Sequence, residues 1–427
     1  MRLLRLFVVL VLAGCGGSQM QLSRAPSSAA DAYHAGSPIK HIIVVVQENR
    51  TVDDLFQFLP GADVVRRGLN SKGQHVPLAP IPLTERYDLA HHHSDWLTEY
   101  DGGAMNGFDK EGSTSCRGSC PPPNVRAYGY VPQEEVQPYY DLAEQYAFAD
   151  ETFESNQGPS FPAHQYLVSG TSTIYTGANL RASENAIGKH SGEPPGGCDS
   201  RPGSYVQLIS RGGYENKRTF PCFDRSSIIS ELDDASVSWL YYQYLPGTGD
   251  WHAVDALKPI WQNKNEYATH VITPSSQFLT DIGNGNLAAV TWITPTIKAS
   301  DHALRTNGSG PAWVASVVNA VGESPFWNSS AIIITWDDWG GWYDHVKPTV
   351  FNSYEDGFRV PLIVVSPYAV QGISHQRREI YGATLRFIED TFNLPSLGTT
   401  DVRNDDLSDM FNFRQLPKSF APIAERH

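Results

Sequence analysis

The densest concentration of reactive side chains is A-I-I-I-T-W-D-D-W-G-G-W-Y-D-H-V, residues 331–346. The adjacent carboxylates Asp337 and Asp338 follow an apolar run, with Trp336, Trp339 and Trp342 around them and Asp344-His345 beyond. Aromatic bulk around acids makes a poorly solvated pocket, where charge is costly unless a metal ion or a paired cation is present. The expectation is that Asp337 and Asp338 hold a divalent metal at the end of a sheet strand, and that other segments supply further ligands and a nucleophile.

Glu48 and Asn49 end a second apolar run, I-K-H-I-I-V-V-V at 39–46. A carboxylate beside an amide oxygen offers two hard donors suited to a divalent ion. The same pair also suits an exposed loop with helix-capping residues. Residues 88–108 carry three successive histidines, His91, His92 and His93, and imidazole binds metal or donates to a phosphoryl oxygen. Neighbouring side chains cannot all face one site, so one or two of these are spectators. In N-Q-G-P-S-F-P-A-H-Q-Y-L-V-S-G, 156–170, Ser160 stands just before Phe161-Pro162, and proline favours the first turn of a helix. A hydroxyl there lies at the positive end of a helix dipole, beside N–H groups that receive an anion. A plain serine cap is the commoner use of such a position. No G-x-S-x-G elbow occurs, so a lipase-type triad has no support. Asp301-His302 offers a ligand or an acid/base, or simply a surface loop.

The elements that would position these groups alternate along the chain. The runs 39–46 and 331–334 show little alternation, as strands covered on both faces do. Further strands are predicted at 236–242, 287–293 and 361–365. Helices are predicted at 137–148, 226–234, 273–281, 311–321 and 383–392. The alternation argues for an α/β fold, a mostly parallel central sheet with helices on both faces, and such sheets place ligands at the carboxyl ends of their strands. Segments 71–86, 112–130 and 191–221, rich in Pro, Gly and polar residues, read as loops. A single domain over 39–427 is expected.

The first residues, M-R-L-L-R-L-F-V-V-L-V-L-A-G-C, combine a basic start with an apolar core too short to span a bilayer. Leu12-Ala13-Gly14-Cys15 resembles the lipobox of bacterial lipoproteins. Residues 1–14 are therefore expected to be a lipoprotein signal peptide, Cys15 a lipid-anchored mature terminus, and 15–38 a flexible tether. That places the protein outside the cytoplasm, in the bacterial cell envelope. The alternative is an ordinary secretory signal that contains a cysteine. Formal charge is −14, which argues against nucleic acid as a partner but not against a phosphorylated substrate, because a bound metal reverses the sign locally. Beyond Cys15 stand Cys116, Cys120, Cys198 and Cys222, which admit three disulfide connectivities. Pairing of sequence neighbours is preferred. A zinc site is the competing reading, though no histidines sit at finger-like spacing.

Taken together, the segments resemble the bacterial phosphoesterase family, which contains phospholipases C and a group of acid phosphatases. I-I-V-V-V-Q-E-N-R-T-V-D-D-L-F is similar to the family's E-N-R-[ST]-[FY]-D-x-x-F block. Asp88 and His91 with Met105–Phe108, then G-P-S-x-P, S-D-H and T-W-D-D-W-G-G-W-Y-D-H-V follow in the family's order, from about Ile39 to Tyr368. The resemblance implies a three-layer α/β/α sandwich of alkaline-phosphatase type. It implies divalent metal binding by Glu48, Asn49, Asp337 and Asp338, with Ser160 as nucleophile through a phosphoseryl intermediate. It also implies that His91 and His302 contact the phosphoryl group or leaving oxygen, and that His345 occupies a family position. Phospholipase C members usually carry Thr and then Pro-Asn-Arg where this chain has Ser160 and Pro162-Ala163-His164. The serine matches the acid phosphatase branch, so phosphomonoesters are the expected substrates. Phospholipase C action on phosphodiesters and a non-catalytic binding lipoprotein are the alternatives. Sulfatase action is disfavoured, because His164 stands where an Arg is required.

Overall fold

The structure is a computed structural model that describes residues 37–188, 196–247 and 249–425. The signal sequence, Cys15 and all but the last residues of the tether lie outside the described residues.

The central element is an eight-stranded sheet. Its strands are β1 His41–Gln47, β2 Ala147–Ala149, β3 Trp239–Tyr242, β4 Val271–Ile272, β5 Val290–Ile293, β6 Ser330–Trp336, β7 Leu362–Val365 and β8 Gly372–Ser374. Their spatial order is β4-β3-β5-β1-β6-β7-β2-β8, and every pairing is parallel except the two made by β7. β6 is buried at every residue and β1 at all but His41, so both faces of the sheet centre are covered. Uninterrupted apolar sequence is what that environment selects.

Helices pack in two sets. One joins α2 Gln137–Gln145, α5 Gln277–Gly283 and α6 Gly310–Gly322; the other joins α3 Ser160–Ser169, α4 Ile228–Asp234 and α7 Ile380–Phe392. (α1 is His93–Tyr100, whose Trp96 packs in a second apolar cluster.) The result is the expected α/β/α layering around a mostly parallel sheet. α4 begins one residue after Ser227, whose N–H donates to Ser230 Oγ at 3.3 Å.

Five predicted segments are corrected. The helix expected to reach residue 148 stops at Gln145, because Tyr146 is extended (φ −125°, ψ −154°) and 147–149 becomes β2. A strand of three residues is too short for its period to show. α5 starts at Gln277 rather than at 273. The segment 191–221 is not all loop: Val206–Ser210 and Lys217–Thr219 form a three-stranded antiparallel sheet with Leu180–Ala182. The predicted loops 71–86 and 112–130 also carry short ladders, over the second apolar cluster, which includes Trp96, Phe108, Trp339, Trp342 and Phe358. Disulfides join Cys116 to Cys120 and Cys198 to Cys222, the sequence-neighbour pairing. The second closes a loop of ~25 residues, worth about 3 kcal/mol by chain entropy.

Candidate functional site

Register brings the two acidic strand ends together. β1 and β6 pair with Gln47 opposite Trp336, so Glu48-Asn49 and Asp337-Asp338 leave neighbouring strands at the same level. Asp337 N–H donates to Gln47 O at 3.0 Å, and Asn49 N–H donates to Asp337 Oδ1 at 3.0 Å. Asn49 adopts φ 64°, a left-handed conformation that Asn tolerates better than most residues. The glycine after Trp339 is what allows the approach. Gly340 has φ +62°, and a Cβ there would lie 2.6 Å from Asn49 O; its N–H donates to Asp338 Oδ1 at 2.8 Å.

Helix α3 delivers the hydroxyl. Ser160 is its first residue, with Pro159 at the cap position and Phe161 N–H held by Asn185 Oδ1 at 2.8 Å. Ser160 Oγ lies 3.3 Å from Glu48 Oε2 and 3.2 Å from Asp338 Oδ2. One turn later on the same face stands His164, whose Nε2 is 3.1 Å from Glu48 Oε1 and 3.8 Å from Asp337 Oδ2. Glu48, Ser160, His164, Asp337 and Asp338 are all fully or almost fully buried.

The electrostatics of this cluster are unbalanced. Burial, and next the charge of Asp337, pushes both the Glu48 and Asp338 carboxyls well above their usual range. Glu154, also buried, feels Asp338 after its own desolvation and is pushed up too. The basic side chain beside the acids is His164, and burial drives its imidazole down to about 4, so it is neutral at pH 7. Asp337 Oδ2 and Asn49 Oδ1 are buried without hydrogen-bond partners. Adjacent hard oxygens, two of them orphaned, fit a divalent cation. Glu48, His164 and Asp337 present ligand atoms within 4.8 Å of one another; Asp53, Asp344 and His345 do so too, but Arg359 is already paired with the last group's acids.

His91 and His302 face one another near these acids, with ring centroids 6.1 Å apart. Each donates Nδ1–H to a backbone carbonyl, His91 to Leu89 O and His302 to Ala303 O, both at 2.8 Å. That fixes the tautomer and leaves Nε2 as the reactive nitrogen. His91 Nε2 accepts from Asn49 Nδ2 at 3.1 Å, which in turn leaves Asn49 Oδ1 unengaged. Desolvation, followed in weight by opposing and assisting charges, holds His302 below its ordinary value. The other two histidines of the triplet are spectators: His92 pairs with Glu184 at 2.7 Å, and His93 lies against Tyr354 with Glu215 at 3.4 Å.

His345 sits elsewhere. Its Nδ1 is 2.7 Å from Asp53 Oδ2 and its Nε2 3.3 Å from Asp63 Oδ1. Arg359 binds Asp344 through two contacts at 2.8 and 3.0 Å and lies 3.7 Å from Asp53. The structure thus joins Ser160, Glu48, Asn49, Asp337, Asp338, His91 and His302, and gives His345 a different set of partners. His164 is the residue that sequence reading left out of the site. The available signal was its spacing of four from Ser160, after the helix-start signal at Phe161-Pro162.

The Phosphoesterase family matches residues 39–395 of the chain. Phospholipase C A of Mycobacterium tuberculosis is 24% identical over 477 aligned residues, covering 96% of this chain and 85% of that protein. Non-specific phospholipase C6 of Arabidopsis thaliana is 26% identical over 375, covering 79% and 63%. Hemolytic phospholipase C of Pseudomonas aeruginosa is 22% identical over 441, covering 88% and 56%. Extent of match and strand-end acids agree: the chain belongs to the Phosphoesterase family and is a hydrolase acting on phosphoric ester bonds.

Proposed function

We propose that this hydrolase is metal-dependent and works through Ser160 as nucleophile, with phosphomonoesters preferred over diesters. The observation that carries the reading is the Ser160 hydroxyl set between Glu48 and Asp338, 3.3 and 3.2 Å away, at the start of a buried helix. Glu48, Asn49 Oδ1, Asp337 and Asp338 would hold the divalent ion, with His164 Nε2 facing the same space. When bound, the ion neutralises phosphoryl charge and lowers the pKa of a nearby hydroxyl.

The chain's own groups do the rest. Ser160 loses its proton to a neighbouring carboxylate and attacks phosphorus in line; the ester P–O bond breaks and a phosphoserine forms. His302 presents Nε2, and His91 presents its own once the hydrogen bond from Asn49 Nδ2 is released. Protonated, that nitrogen gives the leaving alcohol its proton; unprotonated, it takes one from the water that cleaves the phosphoserine. The Asn49–His91 hydrogen bond ties this acid/base group to a metal-binding side chain.

Serine rather than threonine at 160, and His164 in place of an arginine, support the monoester preference. A phospholipase C activity is the second reading, favoured by the relatives named above. The deciding experiment is turnover of a chromogenic phosphomonoester and a phosphocholine ester across added divalent metals, with and without chelator. The monoester should be hydrolysed faster and chelation should abolish it; faster diester turnover would favour the second reading, and no turnover of either would overturn both. We also propose export and lipid anchoring at Cys15, on the strength of the 12–15 motif. Metabolic labelling with a fatty-acid probe should be lost in Cys15→Ser, and equal labelling of both would contradict it.

A further inference from the structure

A cavity of about 410 Å³ opens beside Ser169 and Gly170, at the far end of α3 from Ser160. Ten helical residues place roughly 15 Å between the two ends. In a protein of net charge −14, this cavity is lined by Arg181, Arg211, Arg225 and Arg403. Glu355, the acid on the wall, is already shared: Arg181 reaches one oxygen and Arg403 the other, each at 3.3 Å, and Tyr166 also donates to it. Arg403 is further balanced by Glu379 at 3.0 Å.

Arg225 has no carboxylate partner among the described residues; its guanidinium carbon lies 5.0 Å from the centroid of the Phe223 ring. It is only 4% exposed, and its donors go to two neutral acceptors, Thr173 O at 2.6 Å and the Gln165 side-chain oxygen. Its Nε has no partner, and the hydroxyl of Ser169 on the same wall has none either. Burial pushes the guanidinium down to about 9, with no carboxylate to oppose the shift, and it stays cationic at neutral pH. A buried cation without an anion is costly. Arg211 adds a second guanidinium, on the open side, for which no carboxylate partner is found among the described residues.

We propose that this cavity is a second anion site, which binds a phosphate-type oxyanion through Arg225 and Arg211 and is separate from the site of Ser160. Guanidinium forks match the oxygens of a tetrahedral oxyanion, and the surplus of positive charge selects a multiply charged one. The ligand is either free inorganic phosphate or the headgroup of an anionic lipid. Phe351 and Val402, on the wall of the cavity, are 60% and 61% exposed, and would meet the apolar part of a lipid.

The test is calorimetric titration of the metal-loaded full chain with inorganic phosphate, alongside co-sedimentation with phosphatidylglycerol and phosphatidylcholine vesicles. Wild type should bind two phosphates per chain, or bind phosphatidylglycerol vesicles in preference to phosphatidylcholine. Arg211→Gln should weaken the second phosphate, or the vesicle preference, at least tenfold without altering turnover at the Ser160 site. Arg225→Gln should abolish it, and if that buried variant does not fold, Arg211→Gln alone decides. Phosphate stoichiometry of one with no vesicle preference, or binding that neither variant changes, would overturn the proposal.

Discussion

Asp337-Asp338 and Asp344-His345 are separated by a few residues of one loop, yet they treat charge in opposite ways. Around Asp344 the chain supplies its own counter-charge. Arg359 binds Asp344 bidentately and approaches Asp53, which holds His345 at 2.7 Å. Burial alone would lower His345, but its hydrogen bond to Asp53 and that residue's charge outweigh it, so the imidazole is raised. Around Asp337 and Asp338 the nearby base is His164, neutral at pH 7. The balanced cluster ties loop to sheet; the unbalanced one has the ligand set that could hold a cation. Local composition does not distinguish the two, because both are buried acids beside a histidine. The arginine decides.

Four experiments break or sharpen that contrast. The largest effect belongs to Ser160→Ala, which should cut phosphomonoester turnover by at least about a thousand-fold while metal content stays at the wild-type level. Retained turnover would remove the nucleophile from the unbalanced cluster. Next comes Arg359→Met, which leaves Asp344 and Asp53 buried beside each other without their cation. A loss of about 3–5 kcal/mol in urea unfolding is expected; a loss below ~1 kcal/mol would show that the second cluster is not held by charge.

A smaller effect is expected from the ion itself. Saturating a native-state site at a hundred times its Kd stabilises by about 2.7 kcal/mol. Chelation should therefore lower the thermal midpoint of wild type and leave Asp338→Asn unmoved. The smallest effect is that of His345→Gln. Because the folded imidazole is raised above its unfolded value, its contribution is complete below about pH 6.5 and lost as pH rises through the folded value. The stability gap to wild type should be under about 1 kcal/mol, given partial exposure, wider at pH 6 than at pH 9. A gap that does not narrow would mean His345 acts by packing.

The parts legible in sequence were those whose signal is local. β1 and β6 showed as unbroken apolar runs because both faces are covered, and the acids at their ends followed directly. That Gln47 lies opposite Trp336, and so which acids meet, is a property of register, which no segment carries alone. β2 was absorbed into a helix because three residues cannot display a period. The sheet from Val206 to Thr219 was hidden by strands of three to five residues, several of them polar. His164 shows in sequence only as a missing arginine; its place among the acids depends on the orientation of α3. Arg225 had no signal at all, since lacking a partner is a tertiary fact.

Glu48, Asn49, Asp337 and Asp338 are proposed to hold a divalent ion that the Asp53–Asp344–His345 group does not. Native mass spectrometry of wild type, Asp338→Asn and Asp344→Asn, each dialysed against the same divalent metal, tests it directly. Bound metal is expected in wild type and in folded Asp344→Asn, and its loss in Asp338→Asn. Metal retained by Asp338→Asn, or lost with Asp344→Asn in folded protein, would contradict it.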